Sequence, residues 1–87
     1  MRIQIIKFHD ETSARWMWEE HHIKPGAIRE VRHIHYGKYK RNTIIKSYRI
    51  LVMNYGNNNN RDKYTECSIY PDECIITLNK KSYEKLP

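Results

Sequence analysis

Hydrophobic and polar residues alternate over several short stretches of the chain, and this spacing predicts strands. The strongest pattern covers residues 43–55, which are rich in isoleucine, leucine, valine and tyrosine. At about 3.3 Å per residue this strand would be roughly 40 Å long, so a bend or bulge is expected in it, near Ser47. Four further strands are predicted at residues 2–8, 27–36, 64–70 and 74–78.

A single helix is predicted at residues 11–23, between the first two strands. Either Asp10 or Thr12 can accept hydrogen bonds from the free N–H groups at the start of this helix. The segment Lys24-Pro25-Gly26 is predicted to end it, because proline disfavours helical geometry in the preceding residue and glycine permits a reversal of the chain.

Two sides of the predicted helix carry apolar residues. The first side is expected to pack on the sheet because its members recur at the spacing of one helical face. These members are Ala14, Met17, Trp18 and His21. Trp16 and Ile23 lie seven residues apart on another side, which one sheet cannot also bury. Trp16 and Ile23 are therefore predicted to form a protein-binding facet, used either for homodimerisation or by a different protein.

The order of elements is one strand, one helix and then four strands, and short loops between successive strands favour antiparallel pairing. The expected fold is α+β: a single antiparallel sheet of about four to five strands, with one helix packed on one face and the other face open. The segment Pro71-Asp72-Glu73 is predicted to be a tight hairpin turn between the last two strands. Residues 37–42 are predicted to form a turn or loop, the asparagine-rich residues 56–62 a mobile loop, and residues 79–87 a short tail or one helical turn.

The length and composition narrow the class of protein. A chain of 87 residues can bury one core, so residues 1–87 are interpreted as a single small domain. No apolar run reaches the roughly 20 residues of a membrane-spanning helix, and the N-terminal segment is too short and too polar for a signal peptide. A cytoplasmic location is therefore expected. Cys67 and Cys74 are too few for a disulfide scaffold, and both are expected to be reduced.

The formal net charge of +6 is concentrated in the middle third of the chain. Residues 31–63 contain eight Lys or Arg and one acidic residue, which gives this segment a net charge of +7. Residues 1–30 are neutral overall, and residues 64–87 carry a net charge of −1. An asymmetry of this kind is typical of proteins that bind polyanions.

Tyrosines are interleaved with the cations of this basic segment, and this favours nucleic acid as the polyanion. Cations bind phosphates, and flat rings stack on unpaired bases without a strong sequence preference. RNA is favoured over DNA because no helix carries the charge needed to read a major groove, and because an open sheet with tyrosines suits single strands. The predicted RNA-binding residues are Arg32, His33, His35, Tyr36, Lys38, Tyr39, Lys40, Arg41, Lys46, Tyr48 and Arg49.

Five histidines raise two other possibilities. A pair such as His33 and His35 points to one face of a strand, as in some zinc sites, but further ligands at the usual spacing are lacking. No metal and no other cofactor is therefore predicted. The same two histidines, with Arg32 or Lys38 on the phosphate, would supply the groups of a metal-independent endoribonuclease.

In size and basic charge the chain resembles the small toxin ribonucleases of the RelE type. It has one predicted helix where that family has two, and residues 79–87 lack the family's basic and aromatic C-terminal cluster. The favoured interpretation is therefore a non-enzymatic RNA-binding protein with no catalytic residue.

The frequent residues also suggest a source for the chain. Isoleucine occurs 12 times, lysine 9 times, and asparagine and tyrosine 7 times each, and all four have AT-rich codons. In composition the chain resembles small proteins of AT-rich phages or bacteria. A concrete hypothesis is a phage-type inhibitor or adaptor in the host cytoplasm, which binds a host toxin or defence protein together with RNA. The alternative is a protein-only inhibitor that uses its basic face on an acidic partner.

Overall fold

The computed structural model describes residues 1–55 and 63–77. In these ranges the elements are β1 (Arg2–Ile5), α1 (Glu11–His21), β2 (Ile28–Tyr39), β3 (Asn42–Met53), β4 (Tyr64–Ile69), a 3₁₀ turn (Pro71–Glu73) and β5 (Cys74–Thr77). The strands form one antiparallel sheet in the order β4-β3-β2-β1-β5. The predicted α+β class, with one helix and one antiparallel sheet, is therefore confirmed.

Two predicted segments, the mobile loop at residues 56–62 and the tail at residues 79–87, lie outside the described residues. The helix α1 has 11 residues, too few and too polar to span a membrane, and the described ranges hold no other helix that would.

The sheet is strongly curled, and this brings its two edges together. β4 and β5 are the opposite edge strands, yet only residues 70–73 separate them along the chain. In a flat sheet, four gaps of about 4.8 Å would place these edges roughly 19 Å apart. Instead, Ile69 of β4 and Cys74 of β5 belong to the same buried cluster. The 3₁₀ turn therefore connects one edge of the curled sheet directly to the other.

The predicted hairpin between the last two strands is wrong. β4 pairs with β3, whereas β5 pairs with β1 at the other edge of the sheet. Cys67 accordingly lies opposite Ile50, and Cys74 lies opposite Ile5. Both cysteines are free, as expected. A proline followed by two acidic residues indicates a turn, but it does not specify which strands pair on either side of that turn.

β2 and β3 form a long hairpin of 12 residues in each strand, with one bulge in each. Arg32 is the extra residue in β2, and Lys46 is the extra residue in β3. The second bulge confirms the irregularity predicted near Ser47. Because a bulge bends its strand and increases the local twist, the two bulges contribute to the curl of the sheet.

The turn or loop predicted at residues 37–42 is a turn, and it is shorter than predicted because both strands continue into this range. β2 extends to Tyr39 and β3 begins at Asn42, so Lys40 and Arg41 alone form the turn. Their φ angles are 49° and 70°, and two successive positive values are what a type I′ turn requires. The twist of this turn matches the twist of the strands, and the ladder therefore remains paired up to the tip.

The helix α1 begins at the predicted cap and ends two residues earlier than predicted. The Asp10 carboxylate accepts a hydrogen bond from the Ser13 N–H at 2.7 Å. At the other end His22 adopts the left-handed conformation with a φ of 55°, and its N–H donates to the Trp18 carbonyl at 2.9 Å. This left-handed cap ends the helix before the Lys24-Pro25-Gly26 segment is reached.

The core lies between α1 and the inner, concave face of the sheet. Its apolar members are Ile3, Ile5, Met17, Ile23, Tyr48, Ile50, Val52, Ile69 and Cys74. Met17 and His21 are buried, as their side of the helix was expected to be. The His21 Nδ1–H donates to the Met53 carbonyl at 3.0 Å, and the Tyr55 N–H donates to the Glu20 carbonyl at 2.7 Å. The C-terminal end of α1 is therefore fastened to the end of β3.

The predicted positions of Trp18 and Ile23 are wrong. Trp18 was expected in the core and is 50% exposed, whereas Ile23 was expected on a surface facet and is 1% exposed. The left-handed conformation of His22 breaks the helical spacing just before Ile23, so Ile23 turns into the core. Trp16 is 44% exposed but has no exposed Ile23 beside it. The two-residue protein-binding facet is therefore absent from this surface.

This packing predicts opposite effects for two alanine substitutions at the end of the helix. Ile23→Ala should lower the free energy of unfolding by about 2–5 kcal/mol, because it leaves a cavity in the core. Trp18→Ala should lower it by about 1 kcal/mol, since the indole loses mainly its contact with His22, whose ring centroid is 5.2 Å away. Urea denaturation of both variants measures the difference. A larger loss for Trp18→Ala would contradict this orientation of the helix.

Candidate nucleic-acid interface

The distal part of the β2–β3 hairpin, residues 36–46, extends beyond the core and is named the basic ribbon. Tyr36 and Tyr39 are 55% and 60% exposed, and the remaining side chains of the ribbon are exposed or half-buried. Residues 31–61 contain no acidic residue. The ribbon brings together six members of the predicted RNA-binding set: Tyr36, Lys38, Tyr39, Lys40, Arg41 and Lys46.

Both residues of the turn at the tip of the ribbon are cations, and both have a strained backbone conformation. Type I′ turns favour Asn-Gly, because residues with a Cβ are strained at positive φ by about 1 kcal/mol or more. Lys40 and Arg41 occupy both of these positions. The Lys40 ammonium lies 5.3 Å from the centroid of the Tyr39 ring. Backbone strain of this kind is concentrated at functional sites, and here it places two cations at the point of the ribbon that is farthest from the core.

Gly37 allows the side chain of Lys46 to lie flat across the ribbon. A Cβ at Gly37 would lie only 2.6–2.8 Å from the Cγ, Cδ and Cε carbons of Lys46. Residues 35, 37 and 39 share one face of β2 because strand side chains alternate. The Lys46 stem therefore crosses the same face as Tyr39 and His35. A larger residue at position 37 would force this flexible side chain to move.

At the base of the ribbon, an open groove of about 510 Å³ lies on the outer face of the sheet. Its polar walls are formed by His35 and Lys46, by the hydroxyl-bearing residues Ser47 and Ser68, and by the exposed Tyr70. The Lys46 ammonium beside these hydroxyl groups suits a sugar–phosphate backbone, because ammonium and hydroxyl groups both contact phosphate oxygens. The groove and the ribbon together form a continuous basic surface, joined at Lys46.

Three other predicted residues lie on β2 and β3 outside the lining of the groove. His33 pairs with Arg49 in the ladder, and both lie on the outer face with His35. His33 Nδ1 is 3.6 Å from a carboxylate oxygen of Glu66, so His33 already contacts an acidic residue on the neighbouring strand β4. Arg32 is exposed at the bulge of β2.

Tyr48 does not belong to this surface, which corrects its place in the predicted RNA-binding set. It is 4% exposed and lies in the core, opposite Ile34 on the inner face of the hairpin. Burial raises the pKa of its hydroxyl group above the ordinary value. The alternation that exposes Arg49 turns Tyr48 inward, and the sequence pattern alone did not show which of the two faces the helix would cover.

Several groove residues are absent from the predicted RNA-binding set: Ile44, Ile45, Ser47, Ser68 and Tyr70. The first three lie on β3 within the basic segment, whereas Ser68 and Tyr70 lie at the end of β4, outside it. The pairing of Arg49 with Ser68 brings β4 alongside the groove. Antiparallel pairing of successive strands was predicted, but the sequence did not specify the register that places Ser68 opposite Arg49.

Contacts with Glu73 and His9 hold Tyr70 in place. The Glu73 carboxylate, in a residue that is 4% exposed, accepts hydrogen bonds from the N–H groups of His9 and Tyr70, each at 3.0 Å. The His9 ring stacks on Tyr70 with the centroids 5.1 Å apart, and its Nε2 lies 3.0 Å from Asp72. The hydrogen bond to Asp72 raises the pKa of His9, and the hydrogen bond to His9 lowers the pKa of Asp72.

The described residues contain no group of three or more His, Cys, Asp or Glu side chains arranged to hold a metal ion. Burial raises the pKa of the Cys67 thiol to about 11 and also raises the pKa of Cys74. Both thiols are therefore protonated at neutral pH, which makes them poor nucleophiles and poor metal ligands.

Comparison of this chain with known protein families, with curated proteins and with solved structures gave no match.

The His9–Asp72 pair predicts a pH-dependent contribution to stability. Because the pKa of His9 is raised above 6.5, its contribution is full below that pH and is lost as the pH rises through the folded-state value. Because the pKa of Asp72 is lowered below 3.8, its contribution is lost as the pH falls through that lowered value. The melting-temperature difference between the parent protein and Asp72→Asn should therefore be largest between about pH 4 and pH 6.5.

His9→Asn should show the same pH profile, and the double variant should lose little more than either single variant. A difference that stays constant from about pH 4 to pH 9 would contradict the pairing.

Proposed function

We propose that this protein binds single-stranded RNA through the basic ribbon and the adjoining groove, and that it does so without catalysing a reaction. The observation that carries the proposal is the turn at Lys40 and Arg41. Two cations occupy backbone positions that favour Asn-Gly, at the exposed tip of a hairpin whose distal half contains no acidic residue. A turn selected for stability alone would have neither the strain nor the charge.

Phosphate binding supplies most of the affinity in this proposal. Lys38, Lys40, Arg41 and Lys46 provide four exposed cations along the ribbon, and Lys46 also reaches the groove. Contacts to the sugar–phosphate backbone carry little sequence information, so binding is expected to be largely indifferent to sequence.

Single strands are favoured over duplexes by the exposed rings. Tyr36 and Tyr39 on the ribbon and Tyr70 in the groove offer flat surfaces on which unpaired bases can stack. A two-stranded ribbon can also enter the major groove of DNA, so duplex DNA of matched length is the essential competitor in any binding experiment. Preferential binding to the duplex would overturn the single-strand proposal.

The inhibitor or adaptor hypothesis requires a second surface for a protein partner. The facet predicted for that purpose does not form, because Ile23 is buried. The proposal is therefore restricted to RNA. A protein-only inhibitor would show no salt-dependent binding to RNA, and a ribonuclease would shorten the RNA during the measurement.

The salt dependence of RNA binding tests the phosphate contacts. If the four ribbon cations each contact one phosphate, the logarithm of the association constant should fall against the logarithm of salt concentration with a slope of about −3. Fluorescence anisotropy of a labelled oligouridine over a series of salt concentrations measures this slope. Charge reversal at Lys38, Lys40 and Arg41 should weaken binding several-fold or more. A flat salt response would exclude an electrostatic interface.

The strained turn provides a second test, in which stability and binding should change in opposite directions. Lys40→Asn combined with Arg41→Gly should raise the melting temperature, because Asn-Gly relieves the strain of the type I′ turn. The same variant should weaken RNA binding and reduce the salt slope to about −1.4, since two cations are lost.

The matched control is Arg15→Gln combined with Lys24→Gln, which removes two cations outside the ribbon. This control should leave the salt slope close to that of the parent. If both double variants weaken binding equally, net charge rather than the ribbon is responsible.

A further inference from the structure

A second, smaller depression lies between α1 and the end of β4, on the other side of that strand from the groove. Trp16 and Phe8 line it from the helix side, and Tyr70 lines it from the β4 side. Four residues add polar groups to its walls: Ser13, Ser68, His9 and Glu73, whose carboxylate already accepts hydrogen bonds from the His9 and Tyr70 N–H groups. No residue of the basic ribbon lines this depression.

Two aromatic rings in its walls are held in place from behind. The Trp16 indole makes a T-shaped contact with the buried His21 ring, with the centroids 4.7 Å apart and an interplanar angle of 82°. Tyr70 is stacked on His9 at 5.1 Å with an interplanar angle of 18°. Trp16 and Tyr70 are nevertheless 44% and 46% exposed. Both rings are therefore supported on one side and accessible on another, which is the arrangement of a stacking site.

The depression is open to solvent on one side, and its size indicates which flat group would fill it. Its volume is about 120 Å³. A dry protein cavity of about 150 Å³ accommodates one benzene ring, so this depression is on the scale of a single six-membered ring. A pyrimidine base has one such ring, whereas a purine has two fused rings. The depression therefore matches a pyrimidine better than a purine.

The position of the depression connects it to the RNA-binding groove. Ser68 and Tyr70 line both, so the two sites adjoin at the end of β4. A strand whose phosphates follow Lys46 and His35 along the groove reaches Tyr70 at the boundary between them. A base at this boundary has only to turn over the end of β4 to enter the depression.

Another exposed aromatic group is a poorer candidate for a base. The His22 and Tyr55 rings are stacked on each other at 4.0 Å, and Trp18 lies 5.2 Å from His22. These rings already cover one another, and none of them lines the groove. They lie where α1 meets the end of β3, at the opposite end of that strand from the tip of the ribbon.

We infer that the depression between Trp16 and Tyr70 binds one pyrimidine base of an RNA strand whose phosphates contact the groove and the basic ribbon. This inference rests on the proposed RNA binding and adds to it a modest preference for pyrimidines. Backbone contacts remain the main source of affinity, and the base in the depression determines which strands bind best.

The two tryptophans of the chain allow a direct test. In Trp18→Phe the remaining tryptophan is Trp16, and in Trp16→Phe it is Trp18. Titration with oligouridine of about ten nucleotides should quench the fluorescence of Trp18→Phe through stacking on Trp16. The fluorescence of Trp16→Phe should change little. Quenching of Trp16→Phe alone would assign the stacked base to the Trp18–His22–Tyr55 group and overturn the inference.

Affinities of Trp16→Leu and Trp18→Leu provide a second readout, with melting temperatures measured to show that both variants fold. Leucine retains apolar volume but removes the flat ring. Trp16→Leu should weaken oligouridine binding about five-fold or more, and should abolish the preference for oligouridine over oligoadenosine that the parent shows. Trp18→Leu should retain both. Tyr70→Leu, on the opposite wall, should behave like Trp16→Leu and replaces it if that variant does not fold.

The possible failures are distinguishable. If the parent protein binds no RNA, the proposed function itself is wrong. If Trp16→Leu and Tyr70→Leu bind oligouridine and oligoadenosine in the same ratio as the parent, RNA binding stands and the pyrimidine site is wrong. If Trp16→Leu changes only the sedimentation coefficient, Trp16 belongs to a contact between protein molecules and the inference is overturned.

Discussion

The fold depends on the short connection between the two edge strands of its sheet. Four residues join β4 to β5, although three other strands separate them in the sheet. A flat sheet would place these edges about 19 Å apart, so the connection is compatible only with a curled sheet. The buried Glu73 secures this connection, because its carboxylate binds the backbone of His9 and of Tyr70 and its carbonyl accepts from the Ile6 N–H at 2.8 Å. The curl creates the concave face that α1 fills, and it leaves β2 and β3 free to project beyond the core.

The projecting hairpin departs from what stability alone would favour. Its turn strains two residues, its distal half buries little apolar surface, and its cations repel one another because no acidic side chain lies among them. Each of these features lowers the stability of a domain that has only one small core. They become advantageous when a polyanion is bound, because phosphates neutralise the cations and aromatic rings gain stacked bases. The same residues that weaken the free protein would therefore provide the affinity.

The hydrophobic spacing of the helix does not indicate which of its residues are buried and which are exposed. Hydrogen bonds from His21 to Met53 and from Tyr55 to Glu20 fasten its C-terminal end to β3, and the left-handed His22 turns Ile23 inward. With Met17, His21 and Ile23 in the core, both tryptophans remain half-exposed on opposite borders of the helix. Trp16 borders the end of β4, and Trp18 borders the end of β3. One small helix therefore presents aromatic rings beside two different strands of the sheet.

The sequence by itself determined the α+β class, the helix with a cap at Asp10 or Thr12, an irregularity near Ser47 and the basic character of the middle third. These features depend on neighbouring residues, because hydrophobic spacing, capping and charge density are local properties. Only the tertiary structure decided that β4 and β5 lie at opposite edges, that Tyr48 and Ile23 are buried, and that Ser68, Tyr70 and Trp16 meet beside the groove. Strand pairing and the direction of curl arise from contacts between distant parts of the chain. A single left-handed residue such as His22 ends the helical spacing, so the residue that follows it can be buried where the spacing predicts exposure.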